Sequence, residues 1–382
     1  MIETRESQST PSAGIITVRT SGFNQEGTQG DHLSTDGNGL PSRPGTLDSA
    51  GGAVTDVGQQ PVVTIDDVRA AAERIAGRVV RTPLLPFPAA QLGRPLWLKP
   101  ESLQPTGAFK LRGAFNAILQ RLDEARRQGV VTHSSGNHAR AVAWVARELG
   151  LRAVIVMPDA APAVKVDAVR RLDAEVVIVA PADRDTRAFE LAAEHGYVMV
   201  PPYDDAAVLA GQGTAGLEIV ADLPDVDAVL VPVSGGGLIG GVSTAVKALS
   251  PSTRVIGVEP ELAADAAQSF RTGRRVSWTP EQTYRTVADG LRTTSVGEIP
   301  WRQIQRYVDD IVTVSEDQIM DAVRLLAADA RLIAEPSGAA AFAAYVNHAD
   351  RLALDGKVVA VVSGGNIAQE MLARMIAPPA DR

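Results

Sequence analysis

The sequence predicts an α/β protein with mostly parallel sheet, and three observations lead there. Short runs rich in β-branched residues recur along the chain: LWLK at 96–99, AVIVM at 153–157, EVVIVA at 175–180, AVLVPV at 228–233, RVIGVE at 254–259 and VVAVV at 358–362. They alternate with Ala/Leu/Arg-rich helical segments, the rhythm of strands joined by crossover helices. The runs themselves are continuously apolar, as expected of strands buried on both faces.

Taken in order, residues 1–60 are dominated by Gly, Ser, Thr, Asp and Gln with no helical or strand period, and are read as a disordered extension. Thr64 opens T-I-D-D, an N-cap followed by an acidic first turn, and the helix-like VRAAAERIAG follows. Three strands between roughly 128 and 204 interrupt a larger pattern, so the chain is partitioned into a large domain of residues 61–127 and 205–376 and a small domain of residues 128–204. Bulk composition narrows the function. The 382 residues are 45% hydrophobic, enough for well-buried cores. The formal net charge is -8, and no Lys/Arg run is suited to nucleic acid or anionic lipid, so neither is expected as a partner. The absence of cysteine excludes disulfides, thiolate zinc sites and cysteine nucleophiles. No apolar stretch approaches the ~20 residues of a membrane span, and no secretory signal is readable, which makes a cytoplasmic location the expectation.

Four motifs carry chemistry. TGAFKLRGAFN at 106–116 places Lys110, one of five lysines against 32 arginines, at a strand-to-helix junction between Phe109 and Leu111. An amine enclosed by apolar groups loses its proton readily and forms an imine with an aldehyde; by spacing alone Lys110 could equally be a solvated lysine in a first helical turn. THSSGNHARAVAWVARELG at 132–150 opens a helix after a small polar loop, so the backbone N–H groups of Ser135, Gly136, Asn137 and His138 form an anion site suited to a carboxylate, with hydroxyls from Ser134 and Ser135. A plain capped βα loop would look the same. VPVSGGGLIGG at 231–241 sets three consecutive glycines before a helix, an arrangement that wraps a tetrahedral anion such as phosphate. It is neither a Walker loop nor a spaced dinucleotide fingerprint. VVSGGN at 361–366 ends the last apolar strand and offers the neutral hydroxyl of Ser363 at the carboxyl edge of the sheet.

In this order and spacing the four motifs resemble the serine/threonine dehydratase and serine racemase family, the fold-type-II pyridoxal-phosphate enzymes, across about residues 62–376. The resemblance implies two three-layer α/β/α domains with the cofactor in the cleft between them. It implies Lys110 as the Schiff-base lysine beside Phe109, and Asn137 on the cofactor's phenolic oxygen. Gly235, Gly236, Gly237 and Leu238 would surround its phosphate, and Ser363 would face its pyridine nitrogen. Ser135 matches the position that exchanges a proton on the face opposite the lysine. Ser134, Ser135, Gly136 and His138 would bind the substrate, with Asp289 and Thr293 of TVADGLRTTSVG nearby. The stretch EPELAADAAQS at 259–269 resembles the divalent-cation loop of the racemase branch. There Glu259, the Ala263 carbonyl and Asp265 form an oxygen set for Mg2+, Mn2+ or Ca2+; a solvated acidic loop is the alternative.

Departures from the pattern matter. Ala108 stands where the family often has Ser, and Pro105 stands where the racemase branch has its nucleotide-binding lysine, so ATP control is not expected. The chain stops soon after SGGN, so isoleucine feedback through a C-terminal regulatory domain is not expected either. The implied activity is α,β-elimination from L-threonine or L-serine to 2-oxobutanoate or pyruvate and ammonia, in a homodimer. Serine racemisation and threo-3-hydroxyaspartate dehydration, the latter with Arg187 as a second carboxylate clamp, are the nearest alternatives. A non-catalytic pyridoxal-phosphate-binding protein is the remote one.

Overall fold

The computed structural model describes residues 63–88 and 93–376; the expected extension at 1–60 lies outside the described residues. Helix Ile65–Ile75 begins as its sequence dictates. Thr64 accepts from the Asp67 N–H, and the Asp67 carboxylate accepts from the Thr64 N–H at 2.8 Å.

Among the described residues, ten strands form two sheets. They are β1 (Leu85–Pro86), β2 (Leu96–Pro100), β3 (Val130–His133), β4 (Ala153–Pro158), β5 (Glu175–Val179), β6 (Val198–Met199), β7 (Ala228–Pro232), β8 (Arg254–Pro260), β9 (Asp310–Val314) and β10 (Val358–Val362). The larger sheet has the order β1-β2-β10-β7-β8-β9, parallel except for the β1–β2 pair at its edge. The smaller has the order β5-β4-β3-β6 and is parallel throughout. Four strands, not three, lie between residues 128 and 204. The additional strand, β6, is two residues long, too short to carry a period of its own.

Burial on both faces explains the continuous apolar runs of the inner strands; the EVVIVA run is the exception, because β5 lies at the edge of the smaller sheet and leaves Ile178 exposed. In β7, Leu230 faces a core containing Phe342, whereas Val229 and Val231 face one containing Ile239 and Val242. In β10, Val358, Ala360 and Val362 join the first core, and Val359 and Val361 join the second. Helices on either side of each sheet complete two α/β/α layers. The smaller sheet's core, with Val130, Ile155 and Met157, is shared with Leu111, Ala114 and Phe115 of helix Lys110–Gln120. That helix joins the two halves.

Candidate active site

Lys110 is the first residue of its helix, and its neighbours belong to different cores. Phe109 packs against the larger sheet's core with Val229 and Val361, and Leu111 lies in the core of the smaller sheet. The turn before it is stitched to the end of β10: the Phe109 N–H donates to the Ser363 carbonyl (3.0 Å), and the Gly365 N–H donates to the Gly107 carbonyl (2.9 Å). Ser363, itself buried, therefore stands beside the root of Lys110. The Lys110 amine donates to the Pro202 carbonyl (2.5 Å) and lies 5.0 Å from the centre of the Phe109 ring. Burial pushes it down to about 8. Among the described residues it forms no ion pair with a carboxylate.

The second motif folds as a turn between β3 and helix Asn137–Leu149. Ser134, Ser135 and Gly136 are half-buried there, and the Ser134 hydroxyl accepts from the Gly136 N–H at 3.2 Å. Asn137 is held from both sides. Its amide donates to Glu335 (2.5 Å), and its carbonyl oxygen accepts from Asn366 (2.7 Å). Asn366 also accepts from Arg140 (2.7 Å) and donates to the Thr106 carbonyl (2.8 Å). Burial, reinforced by the charge of Asp289, pushes the Glu335 carboxyl up to about 7. His138 is buried with its Nε2 2.8 Å from the Val200 carbonyl, and burial drives it down to about 3, so its neutral imidazole pins the helix to the end of the smaller sheet.

The third motif joins β7 to helix Gly237–Leu249. Gly236 has φ +86, a left-handed conformation that side chains disfavour, and no side chain caps the helix. A Cβ on Gly235 would fall 2.3–2.5 Å from ring atoms of Tyr203. Side-chain-free backbone leading into an uncapped helix N-terminus is a cradle for a tetrahedral anion. The Ser234 hydroxyl is 2.6 Å from that of Thr293, which ties the 286–297 segment to this loop.

The other sequence-predicted residues are placed as follows. Asp289 pairs with Lys165 at 2.6 Å, bridging the larger sheet's segment to helix Ala163–Arg170. Glu259, at the end of β8, accepts from the N–H groups of Ala266 (3.2 Å) and Ala267 (2.7 Å). Asp265 is buried, with both carboxylate oxygens lacking a hydrogen-bond partner. Burial raises both acids above their usual range, Asp265 to about 7, and for Glu259 the nearby Asp265 adds to the effect. Arg187 is not brought to the site: it bonds Glu190 and Glu194 of its own helix, each at 3.0 Å, and a pair of carboxylates already occupies the fork expected to clamp a substrate.

Sequence reasoning missed Glu335, Asn366, Arg140 and Tyr203. Asn366 and Arg140 lay within motifs already singled out, but the contact that joins them spans 226 residues. Glu335 and Tyr203 reach the site only through contacts across the fold, with Asn137 and Gly235.

Residues 75–364 match the family model described as pyridoxal-phosphate dependent enzyme. The chain is 41% identical over 322 residues to the L-threonine ammonia-lyase of Thermotoga maritima, covering 82% of this chain and 78% of that protein. It is 40% identical over 324 residues to the L-threo-3-hydroxyaspartate ammonia-lyase of Saccharomyces cerevisiae (84% and 98%). It is 39% identical over 311 residues to a serine racemase of Oryza sativa (79% and 91%). The crystal structure of a T.th. threonine deaminase is similar with a TM-score of 0.76 at 44% identity, covering 80% of this chain and 99% of that one. Maize serine racemase gives 0.76 at 37% identity, covering 82% and 96%. The chain therefore belongs to the fold-type-II pyridoxal-phosphate-dependent enzymes related to threonine dehydratases and serine racemases, and pyridoxal phosphate is its cofactor.

Proposed function

We propose that this enzyme is an ammonia-lyase that converts L-threonine to 2-oxobutanoate and L-serine to pyruvate, each with release of ammonia. The observation that carries this reading is Lys110: a half-buried residue at the seam of the two sheets, whose amine desolvation pushes down to about 8 and which has no carboxylate partner among the described residues. The residues fit the cofactor. Lys110 would hold its aldehyde carbon, the Gly235–Leu238 turn its phosphate, Asn137 its phenolic oxygen and Ser363 its ring nitrogen, with Phe109 beside the lysine.

The cofactor, when bound, supplies an electron sink conjugated to the substrate's amine. The chain supplies the rest. Lys110, freed by the substrate amine, is the general base for the Cα proton, a role that its lowered basicity suits near neutral pH. The turn at Ser134, Ser135, Gly136 and His138 offers backbone N–H groups and hydroxyls to the substrate carboxylate. Asp289 and Thr293 would lie near the substrate. Ser363 is neutral and cannot hold a ring nitrogen protonated as a carboxylate would, which favours prompt loss of the β-hydroxyl over transamination.

The cation loop also fits a hard ion. Among the described residues there is no cluster of three or more His, Cys, Asp or Glu side chains, so the set would be the Glu259 and Asp265 carboxylates with the Ala263 carbonyl. The unpartnered oxygens of Asp265 are the feature a Mg2+, Mn2+ or Ca2+ ion would satisfy. Chelation should then lower the melting temperature in wild type and leave Asp265→Asn unaffected; equal melting curves for wild type with and without chelator would remove the ion.

The likeness to serine racemases favours a second activity in which Ser135 delivers a proton to the other face of Cα. One experiment addresses both. The visible absorbance of the holoenzyme is recorded with L-threonine, L-serine and L-threo-3-hydroxyaspartate, and ammonia, 2-oxo acid and D-enantiomer are assayed for wild type, Lys110→Ala and Ser135→Ala. Ammonia from threonine and serine, lost in Lys110→Ala, is expected. D-Serine without ammonia would replace the lyase by the racemase, and turnover of hydroxyaspartate alone would change the substrate.

A further inference from the structure

Residues 202–205 link three parts of the site that the motifs treat as separate. The Pro202 carbonyl accepts from the Lys110 amine (2.5 Å). The Tyr203 ring covers Gly235 so closely that a Cβ there would lie 2.3–2.5 Å from three of its ring atoms, and a Cβ on Gly237 would lie 3.1 Å from the Tyr203 Cα and Cβ. The Asp204 carboxylate accepts from the N–H groups of Glu298 (3.0 Å) and Ile299 (2.9 Å), capping helix Glu298–Tyr307. The Gly297 N–H in turn donates to the Gly235 carbonyl (3.1 Å). These contacts close a ring through Tyr203, Gly235, Gly297 and Asp204. Asp205 then roots the segment by capping helix Ala206–Asp222 through the Val208 N–H (2.8 Å).

We propose that Tyr203 is a positioning residue that couples the glycine turn to the Lys110 amine: its ring, seated on Gly235, fixes the strap whose Pro202 carbonyl holds the lysine. An anion settling on the glycine turn presses against the element that orients the amine, so phosphate seating and lysine placement are set together. The phenol suits this position beside an anion. Burial, then the charges of Asp185 and Asp204, hold it protonated above its ordinary range, so the ring brings no negative charge to the turn. The coupling needs the ring, not the hydroxyl.

The inference rests on the reading of Lys110 as the cofactor's lysine, and the test separates the two. Holoenzyme of wild type, Lys110→Ala, Tyr203→Phe and Tyr203→Leu is examined by three measurements: the pH titration of its visible absorbance, the phosphorus resonance of bound cofactor, and cofactor retention on dialysis. Circular dichroism confirms the fold of each variant. In Tyr203→Leu both the absorbance titration and the phosphorus resonance should move, with cofactor affinity falling roughly tenfold; Tyr203→Phe should match wild type in all three. A Tyr203→Leu protein that folds and titrates like wild type would overturn the coupling, as would one in which the phosphorus resonance moves and the absorbance does not. A visible band persisting in Lys110→Ala would overturn the lysine reading and the coupling with it. A band lost there but unmoved in Tyr203→Leu would overturn the coupling alone. Should Tyr203→Leu fail to fold, Asp204→Asn loosens the far end of the same strap and is expected to move both signals in the same direction by less.

Discussion

Two lysines eleven positions apart in sequence, Lys99 buried and Lys110 half-buried, have opposite kinds of neighbour. Lys99, at the end of β2, donates to Glu218 and to the Thr82 carbonyl, each at 2.6 Å. It belongs to a buried network in which Arg112 grips Glu101 through two bonds of 2.7 Å and Glu218 through bonds of 2.7 and 2.8 Å. Thr82 and Gln104 supply further donors to Glu101, at 2.7 and 3.1 Å. Among the described residues, the Lys110 amine has only the Pro202 carbonyl and the face of Phe109. Burial lowers both amines, but at Lys99 the charges of Glu218 and Glu101 oppose it, whereas at Lys110 no carboxylate among the described residues does. A buried cation surrounded by carboxylates is fixed as a cation; one left without them can become a neutral amine. The difference separates a lysine that holds the fold from one available for chemistry.

The largest effect that sharpens this contrast is on activity. Lys110→Ala should abolish the cofactor's visible band and reduce ammonia release by about a hundred- to ten-thousandfold or more, with a melting temperature of the cofactor-free protein equal to or above that of cofactor-free wild type. A large fall in that melting temperature would show the amine to be structural, as Lys99 is. The counterpart is Arg112→Met, two residues on in the same helix. It strands the Glu101 and Glu218 carboxylates in a buried site and should cost about 3–5 kcal/mol of stability. Denaturant unfolding measures this, and Glu101→Gln added to Arg112→Met should recover part of the loss. Losses near zero would mean that water reaches the network.

How much of this was legible in the sequence differs between the two regions. Lys110 stood out because its neighbours are apolar and its turn follows a strand, and the three-glycine turn because a left-handed residue such as Gly236 before a helix without a side-chain cap favours glycine. Both signals are local. The six apolar runs likewise marked most of the two sheets, because burial on both faces leaves an unbroken apolar run, although the edge strand β5 carries such a run without that burial. β1 and β6 are two residues each and carry no period, and β9 (DIVTV) alternates too briefly to be separated from the loop before it. Glu335 and Tyr203 were invisible for a different reason. Each acquires its role from a contact partner far along the chain, Asn137 for Glu335 and Gly235 for Tyr203, and nothing in an isolated E-P-S-G or P-P-Y-D segment announces that partner.

Glu335 offers a smaller effect that tests whether carboxylates near the site are as firmly ionised as those of the Arg112 network. The Glu101 carboxyl, held by Arg112, is lowered despite its burial, whereas Glu335 is raised to about 7 from an ordinary 4.5 by burial and by Asp289, with only Asn137, Lys165 and the Asn366 backbone opposing. A raised folded-state pKa means that the folded protein binds more protons than the unfolded chain between those values. Its contribution to stability is therefore full below about 4.5 and lost as pH rises through about 7. Glu335→Gln removes the titration. The melting temperature of the variant minus that of wild type should become more positive as pH is raised from about 4.5 to about 7 and change little above that. A difference independent of pH would mean that Glu335 is ionised throughout.

The smallest effect concerns Arg187, and it bears on substrate choice. Each residue along a helix turns the side chain by about 100°, so one position of register separates a substrate clamp from a side chain on the outer face. The structure puts Arg187 between Glu190 and Glu194, with its side chain 33% exposed and theirs about half exposed. Such pairs contribute only about 0–1 kcal/mol, so Arg187→Ala should shift stability by no more than that. It should leave kcat/KM unchanged for L-threonine, L-serine and L-threo-3-hydroxyaspartate alike. A selective loss with hydroxyaspartate would require the arginine to leave both glutamates and turn toward the second carboxylate of that substrate. Such a loss would show that an exchange of ion pairs, rather than a preformed pocket, recognises the larger anion.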